Sequence, residues 1–381
     1  MDNASRDFQV IAKPNGAACN MDCGYCYYLE KEYLYPESQD FRMPTVILEE
    51  YIFQHIEACT EEMICFSWQG GEPTLLGLDY FRDITALQRK HQPVGRFIHN
   101  ALVTNGTLLN DEWCKFMADE NFTVGLSLDG PQKYHDRYRK DKAGKPAFAH
   151  TLRGFELLRR QGIHTGILCV VNAKNVCHPG KVYDFFKQIG ASDITFLPLV
   201  EPQPGTRTGV SSRTVPADAF GDFLCTIFDQ WLKEDIGKIK VQIFEESARS
   251  ALGLEHSLCI FRETCGNVPV IEHNGDFYCC EYYVEPAHRL GNIMDTPLSE
   301  LLDSLAQQAF GRAKIDNLPR KCLSCQVRDM CGGGCPRNRF IRVPGGGPRM
   351  NYLCAGYKRF FNHCQPFIKE LTTQFRSSVS S

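Results

Sequence analysis

The sequence lacks a strong charge of either sign, since 42 lysines and arginines against 45 aspartates and glutamates leave a formal charge of −3. Nothing in this balance points to a nucleic-acid or membrane-surface binder. The first residues, MDNASRDFQV, have neither the basic start nor the apolar run of a signal peptide, and no later stretch is long enough to span a membrane. These absences predict a cytoplasmic protein without a membrane partner.

Several familiar catalytic motifs are also missing. The histidines are scattered without an H-E-x-x-H pair, and the chain has no Walker loop, G-x-S-x-G elbow or G-x-G-x-x-G turn. The sequence therefore offers no site of the zinc-protease, nucleotide-hydrolase, serine-hydrolase or dinucleotide-binding kinds.

Cysteine, by contrast, is abundant, with 19 in 381 residues. In an oxidising compartment so many thiols would pair indiscriminately, and an odd number suits a complete disulfide framework poorly. In a reducing compartment they indicate metal binding. The length allows one large domain and a smaller one.

Apolar, strand-like runs alternate with amphipathic helical stretches up to about residue 200. The strand candidates are FQVIAK, MICFSWQ, FIHNALVTN, FTVGLSLD, HTGILCVV and DITFLPLV. The helix candidates between them are TVILEEYIFQHIEACT, LDYFRDITALQRKH, TLRGFELLRRQG and GKVYDFFKQIG, and a further candidate, ADAFGDFLCTIFDQWLKED, follows the last strand. This order predicts an α/β fold of six parallel strands with helical crossovers. From about residue 236 the sequence becomes irregular and cysteine-rich, so we predict two domains, 1–235 and 236–381.

Four of the strand candidates run directly into polar or glycine-rich turns. In barrels built from β/α units the chemistry lies on the loops that follow the strands, so these turns should share one mouth. They are WQGGEPT (68–74), TNGT (104–107), SLDG (127–130) and LPLVEP (197–202).

The segment CNMDCGYC places Cys19, Cys23 and Cys26 at a C-x3-C-x2-C spacing just after the first strand candidate. Thiolates at this spacing suit soft metals and iron–sulfur clusters. Three ligands on a four-iron cube leave one iron open to bind and activate a substrate. The alternatives are a zinc loop with its fourth ligand elsewhere, or a group of buried thiols.

This motif, with Tyr25 before its last cysteine, resembles the signature of radical S-adenosylmethionine enzymes. The resemblance implies a partial (β/α)6 barrel and a [4Fe-4S] cluster that cleaves S-adenosylmethionine to a 5′-deoxyadenosyl radical. The GGEPT segment resembles the family's glycine–glycine–glutamate turn. The resemblance implies cofactor contacts from Tyr25, Gly70, Gly71, Glu72, Ser127, Asp129 and Leu197.

Eight further cysteines form a pattern near the C-terminus that includes C-x2-C-x5-C-x3-C, which on its residues alone could be a zinc site or ligands for two clusters. Their order resembles the SPASM domain, which holds two auxiliary [4Fe-4S] clusters. The resemblance assigns Cys259, Cys265, Cys280 and Cys335 to the first auxiliary cluster, and Cys322, Cys325, Cys331 and Cys354 to the second. Most of the remaining cysteines are interpreted as buried apolar side chains. Cys279 adjoins Cys280 and could be mistaken for the ligand, but the fifteen-residue step from Cys265 favours Cys280.

Within this family the chain most resembles the anaerobic sulfatase-maturating enzymes, on the phrase WQGGEPTL, on Tyr28 and on LGNI after the third auxiliary ligand. The resemblance implies conversion of a sulfatase cysteine or serine to formylglycine, with an electron donor such as flavodoxin or ferredoxin. Tyr28 and Gln69 would line the substrate pocket. Glu281 stands where the family has a catalytic aspartate, and a glutamate could take the same proton from one methylene farther away.

Two other functions stay open at this point. The same apparatus could modify another peptide, for instance by forming a thioether on a ribosomal precursor, and the Glu281 departure keeps this alternative alive. A different class would be a zinc-bound scaffold or an RNA-binding module. Metal analysis separates the classes, because the enzyme would hold about twelve irons and the scaffold zinc.

Overall fold

A computed structural model gives the fold and describes residues 4–5, 7–36, 40–206 and 209–379. Contacts divide the chain into two units. The first comprises the chain up to Leu128, His135–Gly166 and Gly266–Gly311, and the second comprises Asp129–Tyr134, Ile167–Cys265 and the chain from Arg312.

The strands have between two and eight residues. In chain order they are β1 (Ile11–Lys13), β2 (Met63–Trp68), β3 (Phe97–Thr104), β4 (Thr123–Ser127), β5 (Thr165–Val171), β6 (Asp193–Pro198), β7 (Lys240–Val241), β8 (Val270–Glu272), β9 (Asp276–Tyr278), β10 (Arg289–Asn292), β11 (Arg339–Ile341) and β12 (Met350–Asn351).

The helices vary more in length. They are α1 (Thr45–Ala58), α2 (Leu78–His91), α3 (Asp111–Asp119), α4 (Gln132–Tyr138), α5 (Phe148–Arg160), α6 (Pro179–Gln188), α7 (Ala217–Glu234), α8 (Gln242–Arg249), α9 (Leu298–Leu302), α10 (Leu305–Asp316), α11 (Arg320–Leu323), α12 (Arg328–Cys331) and α13 (Cys354–Val379). No helix in the described ranges combines the length and the apolar character that a membrane crossing requires.

The first unit is built on a sheet with the strand order β10-β9-β8-β1-β2-β3-β4. From β8 to β4 the neighbouring strands are parallel, and β9 and β10 add an antiparallel edge. In the second unit β5, β6 and β7 follow one another, and β11 pairs antiparallel with β12. Parallel neighbours bring the carboxyl ends of β1, β2, β3 and β4 to one edge of the sheet, where the loops after them meet.

The six predicted strands are confirmed as β1 to β6, and the helices predicted between and after them are confirmed as α1, α2, α5, α6 and α7. Helix α3 was missed although its start is marked, since the Asn110 side chain caps it by accepting from the Trp113 N–H at 2.9 Å.

Regular elements lie beyond residue 236, where the sequence itself shows no regular alternation of strands and helices. Strand β8 pairs in parallel with β1, in the register of Ile11 with Val270. Helix α13 extends over 26 residues and contacts α7 so closely that a Cβ on Gly221 would lie 2.8 Å from the Gly356 Cα. The predicted domain boundary near residue 235 stays a prediction.

Candidate metal and cofactor sites

The three cysteines of the N-terminal motif lie in the loop after β1, and all are partly buried. The loop turns tightly, since the Cys26 N–H donates to the Cys23 carbonyl at 2.9 Å. Burial raises the pKa of the Cys19 thiol to about 12; a hydrogen bond from the Met21 N–H opposes this, while Glu72 and the other two thiols add to it. The three thiols and the Glu72 carboxylate therefore share one electrostatic environment.

This cysteine loop is fastened to the segment at the end of α4. The Asp22 N–H donates to the Lys140 carbonyl at 2.8 Å, and the Gly24 N–H donates to the Tyr138 carbonyl at 2.9 Å. The Tyr25 ring packs edge-on against Tyr138 with 5.8 Å between the ring centroids. Backbone hydrogen bonds thus hold the loop at Asp22 and Gly24, two residues that lie between its cysteines.

The Gly70 and Gly71 pair lies directly against the cysteine loop. The Gly71 N–H donates to the Gly16 carbonyl at 2.8 Å, and the Glu72 N–H donates to the Ala18 carbonyl at 2.9 Å. A Cβ on Gly71 would lie 2.1 Å from the Ala18 oxygen. Gly70 has a φ of 140°, and a Cβ there would lie 2.9 Å from the Gly16 oxygen. Only glycines allow the two loops to approach this closely.

The Glu72 carboxylate is fully buried and joins the turns after β2 and β3. Its Oε1 accepts from the Thr74 N–H at 3.1 Å, the Thr74 hydroxyl at 2.6 Å and the Thr104 hydroxyl at 2.7 Å, while Oε2 accepts from the Asn105 N–H at 2.7 Å. Burial raises the pKa of Glu72, and these donors limit the rise. Its predicted contact with the cofactor stays a prediction.

Asparagines that the sequence analysis did not single out complete this junction. The Asn20 Nδ2 donates to the Thr107 hydroxyl at 2.9 Å, the Asn105 Nδ2 donates to the Asn20 Oδ1 at 2.9 Å, and the Asn15 Nδ2 donates to the Glu72 carbonyl at 2.7 Å. Asn20 directly follows a cysteine of the motif, which is a local signal. The WQGGEPT and TNGT turns therefore meet at the cysteine loop, as the parallel strands predicted.

The other cofactor residues come from the two remaining turns. Ser127 ends β4 and is partly buried in the first unit. Asp129 is fully buried in the second unit, where its Oδ1 accepts from the Val170 N–H at 2.9 Å. Leu197 lies in β6 with 36% of its surface exposed. The contacts that we predict between these three residues and the cofactor stay predictions.

Tyr28 and Gln69, the predicted substrate residues, differ in their surroundings. Tyr28 is 3% exposed, its hydroxyl donates to Glu272, and the Lys13 ammonium lies 3.8 Å from its ring centroid. Gln69 is partly buried, and its Nε2 donates to the Ser67 hydroxyl at 3.3 Å. Glu272 was not singled out in the sequence, since its partner lies 244 positions earlier.

Glu281, the predicted base, begins a short 3-10 turn that directly follows Cys280. The Tyr27 hydroxyl donates to the Glu281 Oε2 at 3.1 Å, and the rings of Tyr27 and Tyr282 are 4.8 Å apart. Burial, and then the Glu281 charge, raise the pKa of Tyr27, so the phenol keeps its proton and stays a donor. Because Tyr27 directly follows Cys26, this bond joins the cysteine loop to the predicted base.

The four cysteines assigned to the second auxiliary cluster gather in the second unit. Burial raises the pKa of the Cys331 thiol to about 12; a hydrogen bond from the Gly333 backbone opposes this, and the thiols of Cys354, Cys322 and Cys325 add to it. Cys354 is the first residue of α13. The four cysteines that are spaced along this part of the sequence therefore lie near one another in the folded chain.

Three of the cysteines assigned to the first auxiliary cluster also share one environment in the second unit. The electrostatic neighbours of the buried Lys314 ammonium include the thiols of Cys265, Cys259 and Cys335. The fourth, Cys280, lies in the first unit and is partly buried, whereas its neighbour Cys279 is only 4% exposed. Cys280 is therefore more exposed than Cys279, and its assignment as the fourth ligand stays a prediction.

The three cysteine sets fit iron–sulfur clusters because of the chemistry of their thiols. The shape of the Gly70–Gly71 turn fits S-adenosylmethionine. Thiols are the ligands that such clusters use, and a cube binds its cysteines one per iron, so its ligands need not meet at one point. In the part of the chain that the structure describes, no three His, Cys, Asp or Glu side chains converge on a single metal ion.

Comparison with known proteins gives two family matches. Residues 16–186 match the Radical SAM superfamily, and residues 259–326 match the SPASM iron-sulfur cluster-binding domain. With the fold described above, they define a radical SAM protein with a C-terminal iron–sulfur domain.

The relatives narrow this class. The chain is 40% identical to a serine-type anaerobic sulfatase-maturating enzyme of Bacteroides thetaiotaomicron, over 97% of this chain and 93% of the relative. It is 31% identical to a cysteine-type enzyme of Clostridium perfringens, over 94% and 96%. The solved structure of native anSMEcpe with bound AdoMet and Cp18Cys peptide superimposes with a TM-score of 0.87 at 30% identity, covering 97% of this chain and all of that chain. The chain belongs to the family of anaerobic sulfatase-maturating enzymes.

Proposed function

We propose that this chain oxidises a cysteine or serine of a sulfatase to formylglycine. The observation that supports it most is the junction of the cysteine loop with the Gly70–Gly71–Glu72 turn, which sets three thiols and a buried carboxylate at one end of the sheet. The relatives at 40% and 31% identity are of the serine and cysteine types, so both target residues stay in the proposal.

The proposed cofactors are S-adenosylmethionine and three [4Fe-4S] clusters. Cys19, Cys23 and Cys26 would hold the radical-generating cluster, and the two C-terminal sets of four would hold the auxiliary clusters. When bound, these groups supply a radical that takes a hydrogen atom from the target Cβ, and an acceptor for the electron that remains. The residues that we assign to S-adenosylmethionine are Tyr25, Gly70, Gly71, Glu72, Ser127, Asp129 and Leu197.

The role of Glu281 follows from the balance of the oxidation. After the Cβ hydrogen atom has left, formation of the C=S or C=O bond releases one electron and the proton of the target S–H or O–H. Serine gives the aldehyde directly, whereas the thioaldehyde formed from cysteine reacts with water to give the aldehyde and release hydrogen sulfide. We assign that proton to Glu281 Oε1, because the Tyr27 hydroxyl already donates to Oε2. Tyr28 and Gln69 would position the peptide.

The remaining parts of the proposal concern domains and reductant. Residues 1–235 would form the radical SAM barrel and residues 236–381 the auxiliary-cluster domain. A flavodoxin or ferredoxin would supply the electron that starts each turnover, and a sulfatase or another protein would be the substrate. The abundance of cysteine supports a reducing cytoplasm.

The direct test is anaerobic incubation with S-adenosylmethionine, a reductant and matched sulfatase peptides that carry serine or cysteine at the target position. Mass spectrometry should show formylglycine in at least one peptide. The control is the variant with Cys19, Cys23 and Cys26 all changed to alanine, which should make no 5′-deoxyadenosine but keep about eight irons. Formation of 5′-deoxyadenosine without formylglycine in either peptide would contradict the proposal.

Glu281→Gln tests the proton acceptor. The amide keeps the size and the hydrogen bond from Tyr27 but is a poor proton acceptor, so formylglycine should fall by about 10²-fold while 5′-deoxyadenosine still forms. Glu281→Asp should retain part of the activity. Glu285→Gln is the matched control, because this nearby carboxylate is 47% exposed and pairs with His288. Unchanged turnover by Glu281→Gln would place the base elsewhere.

A further inference from the structure

Lys314 is a fully buried lysine in the second unit, and neutral oxygens accept all of its hydrogen bonds that the structure shows. Its Nζ donates to the carbonyls of Cys259 at 2.9 Å, Ile260 at 3.0 Å and Arg262. Three acceptors require three N–H donors, which the ammonium has and the neutral amine lacks. Burial lowers the pKa of Lys314 and so opposes the charge, but the three carbonyl acceptors favour the ammonium. The geometry therefore describes a buried positive charge held against the segment that carries Cys259.

Arg339 holds the other cysteine segment in the same way. Its Nε donates to the Gly333 carbonyl at 3.1 Å, and its Nη2 donates to the carbonyls of Gly332 at 3.3 Å and Gly334 at 3.2 Å. These glycines lie between Cys331 and Cys335 in the sequence. A further bond, from Nη1, reaches the Lys314 carbonyl, so the two cations belong to one network.

The two cations differ in which thiols lie near them. Among the electrostatic neighbours of Lys314, the thiols are those of Cys265, Cys259 and Cys335, all assigned to the first auxiliary cluster. Arg339 lies near thiols of both assignments: Cys265 and Cys335 of the first cluster, and Cys322 and Cys331 of the second. Lys314 thus belongs to one cysteine group, and Arg339 lies between the two groups.

A buried charge without a counter-charge is costly, and hydrogen bonds to neutral carbonyls do not cancel it. Thiols are neutral, but four thiolates on a four-iron cluster give the complex a net negative charge. The two cations therefore complement a site that becomes negative when its clusters are in place. Net charge and nearby positive groups are among the factors that set the reduction potential of such a cluster.

We propose that Lys314 and Arg339 are tuning residues of the auxiliary clusters, whose fixed positive charges favour cluster reduction and so help the clusters accept the electron released in peptide oxidation. Lys314 acts on the first auxiliary cluster, and Arg339 acts on both. The inference rests on the proposed assignment of eight cysteines to two auxiliary clusters. It adds residues beyond those assigned to the peptide and to S-adenosylmethionine.

The test uses the full chain with Cys19, Cys23 and Cys26 changed to alanine, so that only the auxiliary clusters respond. An EPR-monitored redox titration gives their midpoint potentials without any peptide. Lys314→Met should make reduction of one cluster at least tenfold less favourable, which corresponds to about 59 mV for a one-electron couple. Arg339→Met should lower the potentials of both clusters.

Charge and packing are separated by two further variants. Lys314→Arg keeps the charge and should keep the potential near that of the parent. Lys187→Met is the matched control, since Lys187 pairs with the carboxylates of Glu234 at 2.8 Å and Asp235 at 3.0 Å and not with thiols. It should leave both potentials unchanged.

The proposal is overturned if Lys314→Met retains its iron with unchanged potentials, or if it shifts both clusters equally. If Lys314→Met loses iron, the result for Lys314→Arg decides between charge and packing. Restored iron at the parent potential supports a role for the charge, whereas iron loss in both variants overturns the proposal. Because no peptide is used, failure of this inference is distinct from failure to form formylglycine.

Discussion

The change of Gly71 to alanine tests the junction between the cysteine loop and the glycine turn. The added Cβ would lie 2.1 Å from the Ala18 oxygen and 2.5 Å from the Ala17 oxygen. Contacts under 3.0 Å essentially never occur for a Cβ, and both oxygens belong to the backbone. The loop must therefore move away from the turn, and Cys19, which directly follows Ala18, must move with it.

The cost can be worked from the contacts that this movement strains. Overpacking of a well-packed site costs about 1–3 kcal/mol. The hydrogen bonds from Gly71 N–H to Gly16 and from Glu72 N–H to Ala18, now 2.8 Å and 2.9 Å, are worth about 1 kcal/mol each. The variant should therefore lose about 3–5 kcal/mol of the free energy of unfolding. That is a large share of the about 5–15 kcal/mol typical of a folded protein.

Two measurements on anaerobically reconstituted Gly71→Ala check this reasoning. Its iron content should fall from about twelve to about eight per chain, and 5′-deoxyadenosine formation should be lost. Denaturant unfolding of the metal-free chain should show the loss of stability directly. Gly180→Ala is the matched control, because a Cβ there meets nothing within 4 Å. A Gly71→Ala protein with wild-type iron, stability and S-adenosylmethionine cleavage would refute the proposed junction.

Three further predictions concern the second unit. Cys331→Ala should destabilise the loaded protein more than loss of any N-terminal cysteine, because a closed cluster contributes its binding energy to folding; a soluble variant with full iron would contradict the ligand assignment. Burial lowers the pKa of His256, but its hydrogen bonds to Glu246 and the Asp329 carbonyl, both 2.8 Å, raise it overall. The stabilisation that protonated His256 gives is fully present below about pH 6.5 and is lost as the pH rises through the folded-state pKa. The melting temperature should therefore depend less on pH above about 6.5 in His256→Gln than in the unmodified protein. Gly221→Ala, which brings a Cβ 2.8 Å from Gly356, should cost about 1–3 kcal/mol in denaturant unfolding, and an unchanged midpoint would argue against close contact of α7 and α13.

The sequence predicted the six strands from β1 to β6 because buried parallel strands read as apolar runs bounded by turns. It could not predict β8, β9 and β10, which have three or four residues each and are too short to show a period. Pairing of Ile11 with Val270 is a contact between residues far apart in the chain, and no local pattern encodes it.

The candidate site also has parts that the sequence could predict and parts that it could not. The cysteine and glycine motifs are contiguous in sequence, so their chemistry could be predicted and their meeting inferred from parallel strands. The bond between Tyr27 and Glu281 joins residues 254 positions apart, and Lys314 lies 55 positions from Cys259. Tyr27 and Glu281 each follow a cysteine in the sequence, but no local pattern encodes their contact with each other. The contact of Lys314 with Cys259 likewise forms only in the folded chain.

The two groups of cysteines also differ in what holds them without metal. The N-terminal loop is held by hydrogen bonds such as Gly24 N–H to Tyr138 and Glu72 N–H to Ala18, which need no metal. In the second unit, the fully buried Lys314 and the partly buried Arg339 place positive charge beside thiols that would become negative when metallated. Removal of iron leaves that charge uncompensated, which is costly in a buried site. Metal loss should therefore weaken the second unit more than the cysteine loop, for the same electrostatic reason that suits these cations to tune a cluster.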